Sequence, residues 1–144
     1  MLRSILVAID GSSSCGRAMD RATELALGLN ARLTILSVVV PLPAVAYAAD
    51  IDARSLEAES VKQTEGVLRA ASDRVPDGLP VEVRLRFGHA AAEIVKEVEE
   101  SDHDLVVVGT RGRGRLASNL LGSVAGDVHF HSSVDLLVVH PSEP

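Results

Sequence analysis

Apolar residues fall along this chain in two rhythms, one of strand length and one of helical spacing, and their alternation predicts its architecture. Residues 4–9 are apolar and branched enough for a buried strand, and Asp10-Gly11-Ser12-Ser13-Ser14 follows as a turn with helix-capping side chains. Ala18, Ala22, Leu25, Ala26 and Leu29 then recur at the spacing of one helix face. A second strand reads over residues 32–40 and stops at Pro41-Leu42-Pro43, since proline cannot continue a central ladder. Residues 44–50 are small and apolar without a clear period and read as a mobile flap, with Tyr47 placed to cover either a ligand or a partner. A long helix is expected over residues 51–75, with Leu56, Thr64, Leu68, Ala71 and Val75 on one face. Gly66 weakens its middle by roughly 1 kcal/mol, and Pro76-Asp77-Gly78 ends it.

In the second half, Val81, Val83, Leu85 and Phe87 alternate with Glu82, Arg84 and Arg86, the pattern of a strand at or near a sheet edge. Gly88 stops that strand, and Ala91, Ile94, Val95 and Val98 mark a short amphipathic helix. Residues 104–108 are the most uniformly apolar strand and belong at the centre of the sheet. A last helix is expected over residues 122–131 and a last strand from Asp135 at its start to His140 at its end. Strands alternating with helices predict an α/β fold, a parallel sheet covered on both faces.

Length and composition narrow the function classes. At 144 residues the chain reads as one domain, residues 1–144, large enough to bury about 68–70% of its unfolded surface. Its one cysteine excludes an internal disulfide framework and suits a reducing compartment. The apolar run before Asp10 is too short for a signal core or a membrane span, so a cytoplasmic protein with no membrane partner is expected. A net charge of −6, with two Phe, one Tyr and no Trp, argues against nucleic acid, because the electrostatic footprint and the stacking platform are both missing.

One stretch runs against the acidic balance. After Val106-Val107-Val108 come glycines at 109, 112 and 114, then Gly122-Ser123 at the expected helix start, with Arg111, Arg113 and Arg115 between. The glycines let the backbone approach a ligand without Cβ contacts, and helix-start amides attract anions. Together they make a local anion site, most economically one for phosphate. Gly112-Arg113-Gly114-Arg115-Leu116-Ala117 also passes as a dinucleotide fingerprint, but it does not follow the first strand or precede a strand ending in an acid. The glycine spacing of a P-loop is present too, yet Arg115-Leu116 stands where Lys and Ser/Thr are required. A glycine–arginine surface loop with no ligand is the remaining reading.

Gly109-x2-Gly112-x9-Gly122-Ser123 resembles, spacing included, the phosphate-binding signature of the ATP-binding branch of the universal stress proteins. The resemblance spans nearly the whole chain. It implies a Rossmann-like, open five-stranded parallel sheet in the order 3-2-1-4-5, whose ligand sits where the order reverses, between strands one and four. Asp10 and Gly109 stand at those two strand ends. By the same resemblance Asp10 faces the ribose, while Ala8, Ile9 and Val38 line the adenine pocket. Gly109, Gly112, Gly122, Ser123 and Val124 contact phosphates, with Arg111 and Arg113 in reach of them. Ala8 replaces a proline often found in the family, and Asp135 replaces one that usually enters the last strand.

Each residue also has a plainer role: Asp10 as a turn aspartate, Ser123 as a helix cap, Ala8, Ile9 and Val38 as core. Cys15, in the first helical turn, reads as a small packed residue rather than an activated thiol. His129 and His131 diverge on a helix and do not make a metal pair. No nucleophile, base and orienting acid form a recognisable set, so catalysis beyond a weak ATPase is not expected. The function implied is an ATP-binding regulatory protein, its Mg²⁺ carried by the nucleotide, forming a homodimer through the apolar last strand. The rival is a dimeric interaction scaffold whose site is empty or holds another anionic metabolite.

Overall fold

The five apolar runs become β1 (Ser4–Ala8), β2 (Arg32–Val39), β3 (Val81–Phe87), β4 (Leu105–Gly109) and β5 (Asp135–Val139) of a single sheet. The structure, a computed structural model, describes residues 1–49, 52–110 and 123–141, with the side chains of Ser13 and Ser14 outside the description. Every strand pair is parallel and the order is β3-β2-β1-β4-β5, the expected topology of an open Rossmann-like sheet. The helices are α1 (Ser13–Leu29), α2 (Ala44–Ala48), α3 (Ala53–Asp73), α4 (Ala90–Ser101) and α5 (Ser123–His131).

The two-residue period of the strands divides the core into two layers. Ile5 and Val7, Leu33 and Ile35, Leu105 and Val107 face α1 and α3, where Ala18, Ala22, Ala26, Leu68 and Ala71 meet them. Leu6, Leu36, Val106 and Val108 face α4 and α5, against Ile94, Val98, Ala125 and Val128. A strand buried on both faces must be apolar at every position; β4, between β1 and β5, is so, with Val106 and Val107 fully buried. At the two edges burial falls away. Val83 and Phe87 of β3 are exposed, and Leu136, Leu137 and Val138 of β5 are half-buried.

Several expectations are corrected in detail. The segment read as a flap contains the short helix α2; its alanines favour helix, and the Tyr47 hydroxyl bonds the Glu57 carboxylate of α3. Asp50 lies outside the described residues. The long helix starts at Ala53, where Asp52 caps it by accepting from the Ser55 amide at 3.3 Å. Leu56 is 50% exposed and Leu29 43%, so each stands off the buried face to which periodicity assigned it. Ser12 occupies the N-cap position of α1 without a side-chain capping bond; its hydroxyl lies 3.4 Å from Cys15 Sγ.

One polar assembly inside the second layer was not legible beforehand. Arg86 of β3 reaches α4, donating to Glu93 and Glu97 at 3.0 Å each and to Glu100 at 3.1 Å. Glu97, 1% exposed, lies 3.2 Å from His103 Nε2, and His103 Nδ1 lies 2.9 Å from Ser4 Oγ. The chain enters this region at Gly88, whose φ of 144° suits glycine and where a Cβ would meet Glu93 Oε2 at 2.7 Å.

Candidate functional site

The cleft follows from how the strands part. Pairing of β1 with β4 ends at Val7 and Val107, whereas β1 stays with β2 through Ala8 and Leu36, and β4 with β5 through Gly109 and Val139. Beyond that point β1 leads into α1 on one face and β4 leads toward α5 on the other. The sheet therefore opens between its two central strands at their carboxyl ends, where open α/β sheets hold ligands.

A cavity of about 490 Å³ lies there, within the range of small-molecule sites. Around it the structure brings together Ala8, Ile9, Asp10, Val38, Gly109, Ser123 and Val124. Arg111, Gly112, Arg113 and Gly122 lie outside the described residues. Sequence reasoning missed the wall supplied by α3, namely Ser60, Gln63, Thr64 and Val67. A signal for it was present, since Thr64 shares the expected sheet-facing stripe of that helix. It also missed Ser37, a lone polar residue in an apolar run, whose hydroxyl donates to the Ile9 carbonyl at 2.7 Å and ties the ends of β1 and β2 together. Tyr47 is not part of the lining.

Apolar walls from Leu36, Val39, Ile94 and Val108 with convergent polar groups suit a flat, partly polar ring. At the other end, Ser123 begins α5, so first-turn amides and the positive end of the helix dipole border the cavity. Asp10 is held in a tight turn: its Oδ1 accepts from the Ser12 amide at 2.9 Å and from Cys15 Sγ at 3.0 Å.

Burial, reinforced by the neighbouring Asp10 carboxylate, pushes the Cys15 thiol up to about 11, so at neutral pH it stays protonated and donates to Asp10. A thiol at 11 rather than the ordinary 9.0 carries about a hundredfold less thiolate at pH 8. Iodoacetamide labelling followed by mass spectrometry is expected to show at least that retardation relative to a free cysteine peptide. Labelling at the peptide rate would mean that the thiol is exposed and ionised. His131 Nδ1 lies 3.0 Å from the Asp127 carbonyl oxygen, and the His129 ring packs near Phe130. No group of three His, Cys, Asp or Glu among the described residues is placed to hold a metal ion.

The profile of the universal stress protein family matches residues 1–140. The chain belongs to the universal stress protein family. A universal stress protein of Mycobacterium tuberculosis is 37% identical to it over 145 residues, 96% of each chain. A universal stress protein solved in complex with cAMP is 35% identical, with a TM-score of 0.75 over 98% of this chain and 99% of that one. UspA from Lactobacillus plantarum shares the fold at a TM-score of 0.84 and 20% identity, over 96% and 97% of the two chains. Like these universal stress proteins it has a five-stranded parallel sheet, and no helix among its described residues is long and apolar enough to cross a membrane.

Proposed function

We propose that this universal stress protein is a cytoplasmic, ATP-binding regulatory module of the stress response. The observation that carries the reading is the cleft between β1 and β4, which gathers Asp10, Gly109 and Ser123 from distant parts of the sequence around one cavity. In this arrangement the adenine lies among Ala8, Ile9 and Val38, and the ribose hydroxyls donate to Asp10. The phosphates lie at the glycine-rich loop and the start of α5, with Arg111 and Arg113 in support, and they carry Mg²⁺ with them. Occupancy orders the loop and thereby changes what the protein binds.

Hydrolysis in such a site is slow. Among the described lining residues Asp10 is the only carboxylate, and its Oδ1 already accepts two hydrogen bonds, so no base is poised to activate water. Binding ground state and transition state equally does not raise the chemical rate. Turnover well below the enzyme median of about 10 s⁻¹ is expected; steady-state release of phosphate at or above that rate by a contaminant-free preparation would make the protein an enzyme.

A second reading, cAMP as the ligand, is favoured by the 35% identical relative solved with that nucleotide. Closing the phosphate onto the ribose removes one hydroxyl donor and two phosphates, so cAMP would draw less on Asp10 and on the glycine-rich loop. Native mass spectrometry of the purified protein tests the assignment through the mass of any co-purified nucleotide. ATP or cAMP decides between the two, whereas a bare chain that binds neither when they are added leaves the interaction scaffold.

We further propose that β5 pairs with β5 of a second copy about a two-fold axis. The run Leu136-Leu137-Val138 is only half-buried at the sheet edge, and an open apolar ladder invites such pairing. Phe130, almost fully exposed on neighbouring α5, adds apolar surface near that edge. Sedimentation at micromolar concentration is expected to give the mass of a dimer, and a strictly monomeric species would contradict it.

A further inference from the structure

At the amino ends of the strands, opposite the nucleotide cleft, a second cavity of about 300 Å³ opens on the α4 face of the sheet. Its lining is polar in a way that the fold does not require. Ser4, Thr34, Glu82 and Arg84 point to this face from β1, β2 and β3, and His103 closes it from the turn before β4.

Thr34, only 5% exposed as a whole residue, is part of this lining. No buried side-chain polar atom among the described residues lacks a partner, so the Thr34 hydroxyl is open to the cavity, where several polar groups converging on one hollow suit a small ligand. Nearby, Arg84 donates to Glu82 at 2.8 Å in a half-exposed pair, leaving other guanidinium N–H groups for a guest. Arg32, at the mouth, makes no ion pair among the described residues. Ser4 is oriented by His103, which in turn is fixed by Glu97. This Ser4–His103–Glu97 relay is not arranged for acyl transfer, because the Ser4 amide already donates to Asp104 Oδ2 at 3.0 Å and does not serve as an oxyanion donor.

We propose that this cavity is a second ligand site, taking a small, singly charged carboxylate that carries a hydroxyl or amino group. Arg84 and Arg32 receive the carboxylate, Thr34 hydrogen-bonds it, and Glu82 accepts from the hydroxyl or amino donor. The same Glu82 charge repels multiply charged anions such as phosphate, which distinguishes this end of the molecule from the cleft.

The test is an NMR titration of the full chain with glycolate, glycine and inorganic phosphate as probes. Saturable shifts of the Thr34, Arg84 and His103 amides are expected with glycolate or glycine, with Asp10 and Ser123 unmoved and phosphate weaker. Thr34→Val, which keeps the branched shape of the strand residue, is expected to weaken binding about fivefold, and Arg84→Gln about tenfold or more. Binding unchanged by both variants, phosphate binding as tightly as glycolate, or no saturable shift at these amides would overturn the proposal. These readouts are independent of ATP, so a failure of the nucleotide reading would leave them standing.

Discussion

Arg86→Ala is expected to destabilise the protein by about 3–5 kcal/mol, the cost of leaving a buried carboxylate without its counter-charge. Glu97 cannot turn to water: it is 1% exposed and held beneath α4 between Arg86 and His103. Removing the guanidinium also leaves the largely buried Glu93 with Lys96 as its remaining cation, at 3.1 Å, whereas Glu100 is exposed and loses little. For a chain of this length the loss corresponds to a fall in Tm of roughly 10–20 °C. Arg86→Lys keeps a charge but not the fork that reaches several carboxylates, so it falls between. Calorimetric melts of the three proteins check the order, and an unchanged melting temperature in Arg86→Ala would show that the network is not stabilising.

The same network gives acid sensitivity of a definite sign. The bonds from Arg86 and then Lys96 hold Glu93 below the ordinary carboxylate value of 4.5. Burial pushes Glu97 up, but the bonds from His103, Ser101 and Arg86 outweigh it and leave that group depressed as well. A carboxylate depressed in the folded state contributes stability that is present above about 4.5 and is lost as pH falls through its folded value. The stability gap between wild type and Arg86→Ala should therefore be full at pH 7 and narrow below pH 4.5.

Gly122→Val is expected to abolish ATP binding while leaving the fold and the dimer intact. In the proposed site the backbone at this position turns into the phosphate. A β-branched side chain would fill the space the phosphate needs and disfavour the required dihedral angles. The substitution is expected to act through the space taken from the phosphate, so thermal stability without nucleotide should be unchanged. Arg111→Ala weakens binding more modestly, by about 1–3 kcal/mol where the guanidinium holds a phosphate oxygen. Adenosine without phosphates should bind poorly. A Gly122→Val protein that melts normally and retains wild-type affinity would remove the phosphate-loop assignment.

A parallel sheet covered on both faces was legible because strand period and helix period alternate cleanly from Ile5 to Val139, and its strand order was what the resemblance to the universal stress proteins implied. The edge position of β3 was written in its charged alternate residues, Glu82, Arg84 and Arg86. Most of the cleft was legible too, since Ala8, Ile9, Asp10, Val38, Gly109, Ser123 and Val124 all line the cavity. What stayed hidden depends on contacts between elements distant in sequence. Arg86 read as one polar residue of an alternating edge strand because its acidic partners are contributed by α4, and nothing near His103 in sequence announces Ser4, 99 residues away. The α3 wall of the cleft was only partly legible: the stripe with Thr64 shows that the helix covers the sheet, but not that Ser60 and Gln63 beside it border the cavity. Helix α2 was missed because seven small residues are too few to show a period.

Nucleotide binding at the cleft is tested by calorimetric titration of ATP with Mg²⁺ into wild type and Gly122→Val, followed by displacement with cAMP. Saturable heat is expected with wild type, one nucleotide per chain, and none with the variant. No heat and no thermal shift with either nucleotide in wild type, or indistinguishable ATP affinities in the two proteins, would contradict it.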